Sequence, residues 1–345
     1  MANKKFEVTN EMRQVLRDSV NGDLMVAHAA KVKLSNLLIA ALDLPLRKGI
    51  MPGSNSAGIY MEEEFGPGQT PEWPLDIMTP GNEKLYVATT IPNTGRIPEC
   101  HVEGDYLMVH TYDIGTSIDW SRKVAYEARW PMVGRAMGIA NSAMQRKKNN
   151  DGWHTILAAA VNRGLSVYDD QAASGLLTKR LVSLARQIMR RNSGGNSTSV
   201  GQGKLTHIAL SPEALEDIRS WDLTQIDDVT RREIYLSSDD GPRLTRIFGV
   251  TLLDIDEFGV GQEYQRYYNT TLGATTPTGR QEIAIGLDLS SNDSFVSPWR
   301  TQPNGQRVEM GHRVTLVEQN RDGYYWRETI GYALLDSRRV LVLGI

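Results

Sequence analysis

The sequence predicts an α+β fold, and three observations carry that prediction. A long run with helical apolar spacing, Asp119 to Val161, occupies the middle of the chain. Short strand-like runs separated by turn residues fill residues 246–345. Between these regions, the strand-like run Leu205 to Leu210 enters a helix through a Ser-Pro turn. Period-3.6 and period-2 patterns thus occupy distinct stretches of one polypeptide.

The elements follow in order. From Asn10 to Asp43 the apolar positions Met12, Leu16, Val20, Met25, Val32, Leu34, Leu38 and Leu42 predict helix, broken near Asn21-Gly22-Asp23 and ended by Pro45. From Pro52 to Pro98, glycine, proline and turn residues surround short strand-like pieces, Ile59 to Phe65 and Lys84 to Thr90. That stretch has too little apolar content for a core of its own, so it reads as an excursion packed on something else. Asp105 to Tyr112 is strand-like. Pro131 suits a helical first turn, and Val133, Met137, Ala140 and Met144 form one stripe. Asn149-Asn150-Asp151-Gly152 reads as an interruption, after which Trp153, Ile156, Leu157, Ala160 and Val161 resume the stripe.

A further helix carries Leu177, Leu181, Leu184 and Ile188, with Asp169 or Ser174 as its cap and Arg186, Arg190 and Arg191 at its dipole-favoured end. Ser193 to Gly203 reads as a mobile, glycine-rich loop. Ser211-Pro212-Glu213 supplies a cap, a first-turn proline and a first-turn acid for a helix that buries Leu215, Ile218 and Trp221. Arg246 to Ile255, Gln262 to Tyr268, Glu282 to Leu289, Arg313 to Glu318 and Tyr324 to Leu335 read as strands, the last two joined by a hairpin at Asn320-Arg321-Asp322-Gly323. The apolar run Val340 to Leu343 belongs inside a sheet.

Composition restricts the function classes. With 345 residues and 40% hydrophobic content, the chain can bury a sizeable core in about two domains, or in one with extensions. A net charge of −3 argues against a chain whose main task is gripping phosphate backbones, so nucleic-acid contacts should be local and weak. The single cysteine, Cys100, rules out a disulfide framework and a thiolate metal cluster, and suits a reducing cytosol. No run approaches the roughly 20 apolar residues of a membrane span, and Met1 to Lys5 is not followed by an apolar signal core. The expectation is a protein neither membrane-embedded nor secreted by a standard signal.

No catalytic constellation emerges. Gly203-Lys204 closes a glycine-rich run, but Thr198 stands where a phosphate loop needs its first glycine and Leu205 where it needs a hydroxyl. A helix precedes that run and a strand follows it, the reverse of the order such a loop needs. Six scattered histidines lack zinc spacing, and Cys100-His101 would point to opposite faces of an extended segment. Asp254 and Asp256 would share a strand face as a carboxylate dyad does, yet polar strand ends look the same. Gly259-Val260-Gly261 lacks the third glycine of a dinucleotide fingerprint and reads as a turn. Glu62-Glu63-Glu64 lacks calcium-loop spacing and reads as a solvated or partner-facing strand, for which a basic patch such as Arg47-Lys48 or Arg122-Lys123 of another copy is the natural complement. Arg146-Lys147-Lys148 is a basic run on a helix, read as a solvated face ahead of a nucleic-acid contact. No cofactor or metal is expected.

The order of elements resembles the major capsid protein of tailed bacteriophages, the Hong Kong 97-type fold shared with encapsulins. The residues that carry the resemblance are "LTHIALSPEALEDIRSW" (205–221), "GVTLLDIDEFGVG" (249–261) and "ETIGYALLDSRRVLVL" (328–343). It implies an N-terminal helical arm over 1–51, an extended loop over 52–104 lying on a neighbour, and a peripheral domain with a spine helix over 105–172. An axial domain over 173–301 and closing strands over 302–345 complete the implied division. Gly194, Gly195, Gly201 and Gly203 would then lie in a loop at the capsomer centre. The implied function is a structural shell subunit, not an enzyme, that assembles as hexamers and pentamers in the host cytoplasm and encloses double-stranded DNA in the virion. Because the chain begins almost directly with the arm, the resemblance implies that scaffolding is supplied by a separate protein or is not needed; a portal and a decoration protein are further implied partners. The alternatives are an encapsulin-type compartment and, remotely, a metal- or nucleotide-dependent hydrolase.

Overall fold

A computed structural model describes residues 56, 58–66, 68–74, 106–121, 130–191, 203–221, 246–290, 294–302, 305–312 and 321–345. They form two compact units. Among the described residues the first comprises Gly115–Arg146 and Met310–Trp326, and the second comprises 56–114, Lys147–Glu309 and Arg327–Ile345. The expected helical arm and the Lys84 to Thr90 and Arg313 to Glu318 strands lie outside the described residues.

In chain order the elements are β1 (Met61–Phe65), β2 (Glu72–Pro74), β3 (Tyr106–Met108), β4 (Tyr112–Ser121), α1 (Trp130–Arg163), β5 (Ser166–Tyr168), α2 (Lys179–Arg191), β6 (His207–Leu210) and α3 (Pro212–Ser220). They continue with β7 (Arg246–Ile247), β8 (Val250–Asp254), α4 (Glu263–Arg266) running into a π turn (Tyr267–Thr271), β9 (Ile283–Leu287), β10 (Phe295–Arg300), β11 (Val308–His312), β12 (Arg321–Ile330), β13 (Ala333–Leu334) and β14 (Val340–Gly344).

The second unit is organised by a six-stranded mixed sheet in the order β5-β14-β9-β6-β8-β7. Its apolar residues alternate between two cores, as a strand period of two requires. On β14, Leu341 and Leu343 face a core shared with Leu181, Val182, Ala185 and Met189 of α2 and with Ala214, Leu215 and Ile218 of α3. Val340 and Val342 face the opposite core, with Trp153, Ile156, Leu157 and Ala160 of α1 and with Phe258, Tyr264 and Tyr268. Helices therefore cover both faces. β14 lies between β5 and β9, which explains why its residues form an unbroken apolar run. A second six-stranded sheet has the path β1-β10-β12-β11, with β13 pairing to β10 and β4 to β12. In the first unit, Arg321 of β12 ion-pairs with Asp119 of β4, and Trp120 packs on Tyr324 at 5.6 Å.

Several sequence expectations need correcting. Asp119 to Ser121 belong to β4 rather than to the long helix. That helix passes without interruption through Asn149-Asn150-Asp151-Gly152. Gln262 to Tyr268 is not a strand, because Tyr264 and Tyr268, four residues apart, bury one helical face in the core. Arg321, Asp322 and Gly323 are strand residues rather than a hairpin turn. The cap of α2 is Thr178, whose Oγ1 accepts from Leu181 N at 3.2 Å while donating to Asp169 Oδ2 at 2.7 Å; Asp169 supports the cap without being it. Asp256 lies beyond the end of β8, so Asp254 and Asp256 do not share a strand face.

The Ser211-Pro212-Glu213 signal forms as read. Ser211 Oγ accepts from Ala214 N at 3.1 Å and donates to Glu282, whose two oxygens lie at 3.2 and 3.1 Å. Burial raises the Glu282 pKa, opposed by the Ser211 bond and reinforced by Glu213 and Asp217. A carboxyl whose folded pKa is raised favours the folded state most when protonated in both states, and that contribution declines as pH rises from the ordinary value to the raised one. Glu282→Gln should therefore melt later than the parent at pH 7. The difference should disappear by about pH 4 in a thermal-melt series, where the parent carboxyl is largely protonated.

Candidate functional site

The described part of the 52–104 stretch, residues 56 to 74, is the excursion foot and is held to the rest of the second unit by polar and charged contacts. β1 runs parallel to β10, with Glu62 opposite Ser297, Glu63 opposite Pro298 and Glu64 opposite Trp299. Strand alternation sends Glu62 and Glu64 to one side and Glu63 to the other. On the first side the Arg307 guanidinium holds Glu62 with two bonds, Nη1 to Oε2 at 2.5 Å and Nη2 to Oε1 at 3.0 Å. Thr301 Oγ1 donates to Glu64 Oε1 at 2.5 Å. On the other side Trp73 Nε1 donates to Glu63 Oε2 at 3.0 Å, and the Trp73 ring meets Phe65 edge-on at 5.4 Å.

Arg307 also reaches inward. Its Nε donates to Glu328 Oε1 at 2.6 Å, and its guanidinium lies 5.2 Å from the Trp299 ring centroid. The second oxygen of Glu328 is 2.5 Å from Lys148 Nζ on α1. Glu62, Arg307, Glu328 and Lys148 thus form an alternating chain of charge from the exposed strand to the helix. Its inner members are sealed: the Glu328 side chain is 0% exposed and that of Lys148 is 5% exposed. Burial lowers the Lys148 pKa, with Glu328 opposing the shift, whereas for Arg307 the two carboxylates outweigh burial and raise it.

The Asn149 to Gly152 stretch of α1 is the second anchor. Asn149 Oδ1 accepts from the Ser56 backbone N at 3.5 Å and from its hydroxyl at 3.4 Å. Asn150 Nδ2 donates to Glu263 at 2.8 Å, and its Oδ1 accepts from Tyr264 Oη at 3.1 Å. Asp151 accepts from Tyr112 Oη and from Lys147 Nζ, both at 2.7 Å. Tyr60 Oη donates to the Gly152 carbonyl at 2.7 Å. A side chain at Gly152 would bring its Cβ to 2.9 Å from Ser56 Cβ, so this position accepts only glycine without a shift of the excursion foot. Residues that weaken a helix in isolation are therefore here because each meets a partner.

The sequence-predicted site residues fall as follows. Glu62, Glu63 and Glu64 each have a partner within their own chain. Arg307, Glu328 and Trp73 supply or organise that support, and nothing local in the sequence marked them. Arg47, Lys48, Arg122, Lys123, Gly194, Gly195 and Gly201 lie outside the described residues. Gly203 leads toward β6, and the next residue, Lys204, donates its backbone N–H to Asp288 Oδ2 at 2.9 Å. Of the basic run, Lys147 pairs with Asp151 and Lys148 with Glu328, so neither is a free cation. Among the described residues no group of three or more His, Cys, Asp or Glu side chains could hold a metal ion. No helix among them is long and apolar enough to cross a membrane.

The architecture is similar to that of solved phage structures. A chain from Microbacterium phage Oxtober96 aligns with a TM-score of 0.55 at 11% identity, covering 85% of this chain and 91% of that one. A chain from Mycobacterium phage Bobi gives 0.54 at 12% identity, with 85% and 91% covered. The capsid structure of the cyanophage P-SCSP1u gives 0.51 at 10% identity, with 83% and 86% covered. No protein-family profile matches the chain. No curated protein sequence matches it. At these identities the likeness is one of fold, and that fold is the α+β Hong Kong 97-type.

Proposed function

We propose that this chain is the structural subunit of a closed shell of the tailed-phage type, assembling through hexamers and pentamers around double-stranded DNA. The observation that carries the reading is the fold, shared over 85% of the chain with a phage structure that is itself covered over 91% of its length. A 52–104 stretch whose foot is held in its own subunit, but whose sequence is too poor in apolar residues for a core, gains by completing its packing on other copies, which couples stability to assembly. Repeated heterologous contacts around symmetry axes then close the shell. On this reading 1–51 is the arm, 52–104 the extended loop, 105–172 the peripheral domain, 173–301 the axial domain, and 302–345 the closing strands. The loop carrying Gly194, Gly195, Gly201 and Gly203 lies at the capsomer centre. A scaffolding protein, a portal and a decoration protein are the corresponding partners.

Electron microscopy and light scattering of the expressed protein, alone and with its neighbouring gene products, test the proposal. Closed particles that copurify with nucleic acid are expected. A compact monomer under every assembly condition would overturn the reading, and particles filled with a protein cargo instead of nucleic acid would transfer it to an encapsulin-type compartment.

Within the proposal Glu62, Glu63 and Glu64 serve two sets of partners, the in-chain ones described above and a basic segment of a neighbour, Arg47-Lys48 or Arg122-Lys123. Exposed pairs contribute about 0.2–1 kcal/mol each, and a shell repeats them many times. Replacing all three with glutamine should weaken assembly, most visibly at low salt, and also lower subunit stability because Arg307 loses its outer carboxylate. An assembly yield that stays constant across a salt series would remove the neighbour from this account.

A further inference from the structure

The exposed face of α2 carries more positive charge than the described residues around it balance. The sequence KRLVSLARQIMRR contains five cations and no acid. Leu181, Val182, Ala185 and Met189 are buried against the sheet, and Leu184 and Ile188 pack at the margin of that core. What remains outside is Lys179, Arg180, Ser183, Arg186, Gln187, Arg190 and Arg191. At 100° per residue Lys179, Ser183, Arg186 and Arg190 share one stripe, and Arg180, Gln187 and Arg191 form the adjoining one. Arg180 is occupied by Asp169 at 3.2 Å and Asp170 at 3.3 Å, and Lys179 lies 5.3 Å from the Phe248 ring centroid. Arg186, Arg190 and Arg191 form no ion pair with any described residue. Two of the three acids of neighbouring α3 are engaged elsewhere, Glu216 with Arg219 and Asp217 with the Leu177 N–H, and the third, Glu213, lies in its first turn and forms no ion pair with a described residue of α2.

A net charge of −3 for the whole chain makes this face a local inversion of sign. Three arginines within six residues with no ion-pair partner among the described residues repel one another, and a dipole role at the helix end would need fewer of them. The chemistry of the face selects its partner. A protein partner would call for an apolar or aromatic centre, and this face exposes none. A nucleic-acid backbone calls for dense positive charge with hydrogen-bonding side chains among it, which Arg186, Arg190, Arg191, Ser183 and Gln187 provide.

We propose that the outer face of α2 is a contact surface for the phosphate backbone of double-stranded DNA, read without sequence specificity; the assignment rests on the DNA-enclosing shell proposed above. α2 then faces the shell interior, and the local weakness of the contact lets DNA slide while it is packed.

The test measures binding of the full chain to a random duplex of about 30 base pairs between about 50 and 200 mM salt, together with particle formation by light scattering. The variant R186Q/R190Q/R191Q is compared with R246Q/R266Q/K204Q, which removes the same charge from exposed positions elsewhere in the unit. The α2 variant should bind at least about tenfold more weakly and flatten the log–log salt slope by about 2–3, as the loss of three phosphate contacts requires, while the control changes little. Equal losses in the two variants would reduce the effect to net charge and overturn the proposal, as would a parent that binds no duplex. An α2 variant that abolishes particles but keeps its DNA affinity and slope would make the face a subunit contact and also overturn it. If the triple variant unfolds, R186Q alone should still reduce the slope by about 1, and an unchanged slope counts against the proposal. A parent that binds duplex through α2 yet never forms particles would sink the shell reading and leave the binding surface standing.

Discussion

Glu328→Gln is expected to destabilise the subunit by about 3–5 kcal/mol, the loss typical when one member of a buried ion network is removed. Glu328 is the only fully enclosed carboxylate of the chain Glu62–Arg307–Glu328–Lys148, and it faces a cation on each side. Its loss leaves Lys148 sealed with no counter-ion and with Arg307 repelling it. Folding then favours a neutral Lys148, whose pKa burial already lowers. Because that group binds fewer protons folded than unfolded, stability should recover as pH rises from neutrality toward the ordinary lysine value. Urea unfolding at pH 7 and at about pH 9.5 measures both the loss and the recovery. Adding Lys148→Met to Glu328→Gln should restore much of the loss even at pH 7, since Arg307 keeps its two bonds to Glu62 and no buried charge is left alone. If the double variant is no more stable than Glu328→Gln, desolvation of Lys148 is not the cause of the loss.

That network shows what a linear reading can and cannot reach. Ser211-Pro212-Glu213, the Gly259-Val260-Gly261 turn and the buried run Val340 to Leu343 were legible because local chemistry decides each: a cap hydroxyl, positive φ angles of 117° and 76° at the two glycines, and a strand with both faces covered. The partners of Glu62-Glu63-Glu64 were not legible, because the arginine that holds Glu62 lies 245 residues away. Asn149-Asn150-Asp151-Gly152 misleads for a related reason. Its residues favour turns when they have only local partners, but here Ser56, Glu263, Tyr264, Tyr112 and Tyr60 supply distant ones, and tertiary contacts override propensity. Tyr264 and Tyr268 raised a strand signal through their aromatic character, while their spacing of four was the correct clue to a helical face. The order of elements was more informative than any motif, since a Hong Kong 97-type fold is set by how its helices and sheets follow one another along the chain.

Trp153→Ala should destabilise the subunit by about 3–5 kcal/mol, because this side chain, the largest fully buried one among the described residues, lies where α1, the turn after β8 and α4 converge. Its ring meets Phe258 edge-on at 5.4 Å and lies 6.2 Å from Tyr264, and Phe258 and Tyr264 meet each other at 5.4 Å. Truncation leaves a cavity that two rigid aromatic neighbours can close only in part. Trp153→Phe should lose far less than Trp153→Ala, because it keeps an edge-on partner for Phe258 and removes a buried indole N–H that has no acceptor among the described residues. Chemical denaturation of the two variants at matched slope gives the comparison directly. Equal losses would mean that ring packing is not what holds this core. The alanine variant carries a second consequence: Asn150 on the same helical turn binds Glu263 and Tyr264, and Gly152 binds Tyr60, so loosening the core at Trp153 should also loosen the excursion foot. Hydrogen exchange at Ser56 to Phe65 should therefore rise in Trp153→Ala more than in β14, where both faces of the sheet remain covered, and an unchanged rate there would show that the charged network alone anchors the excursion.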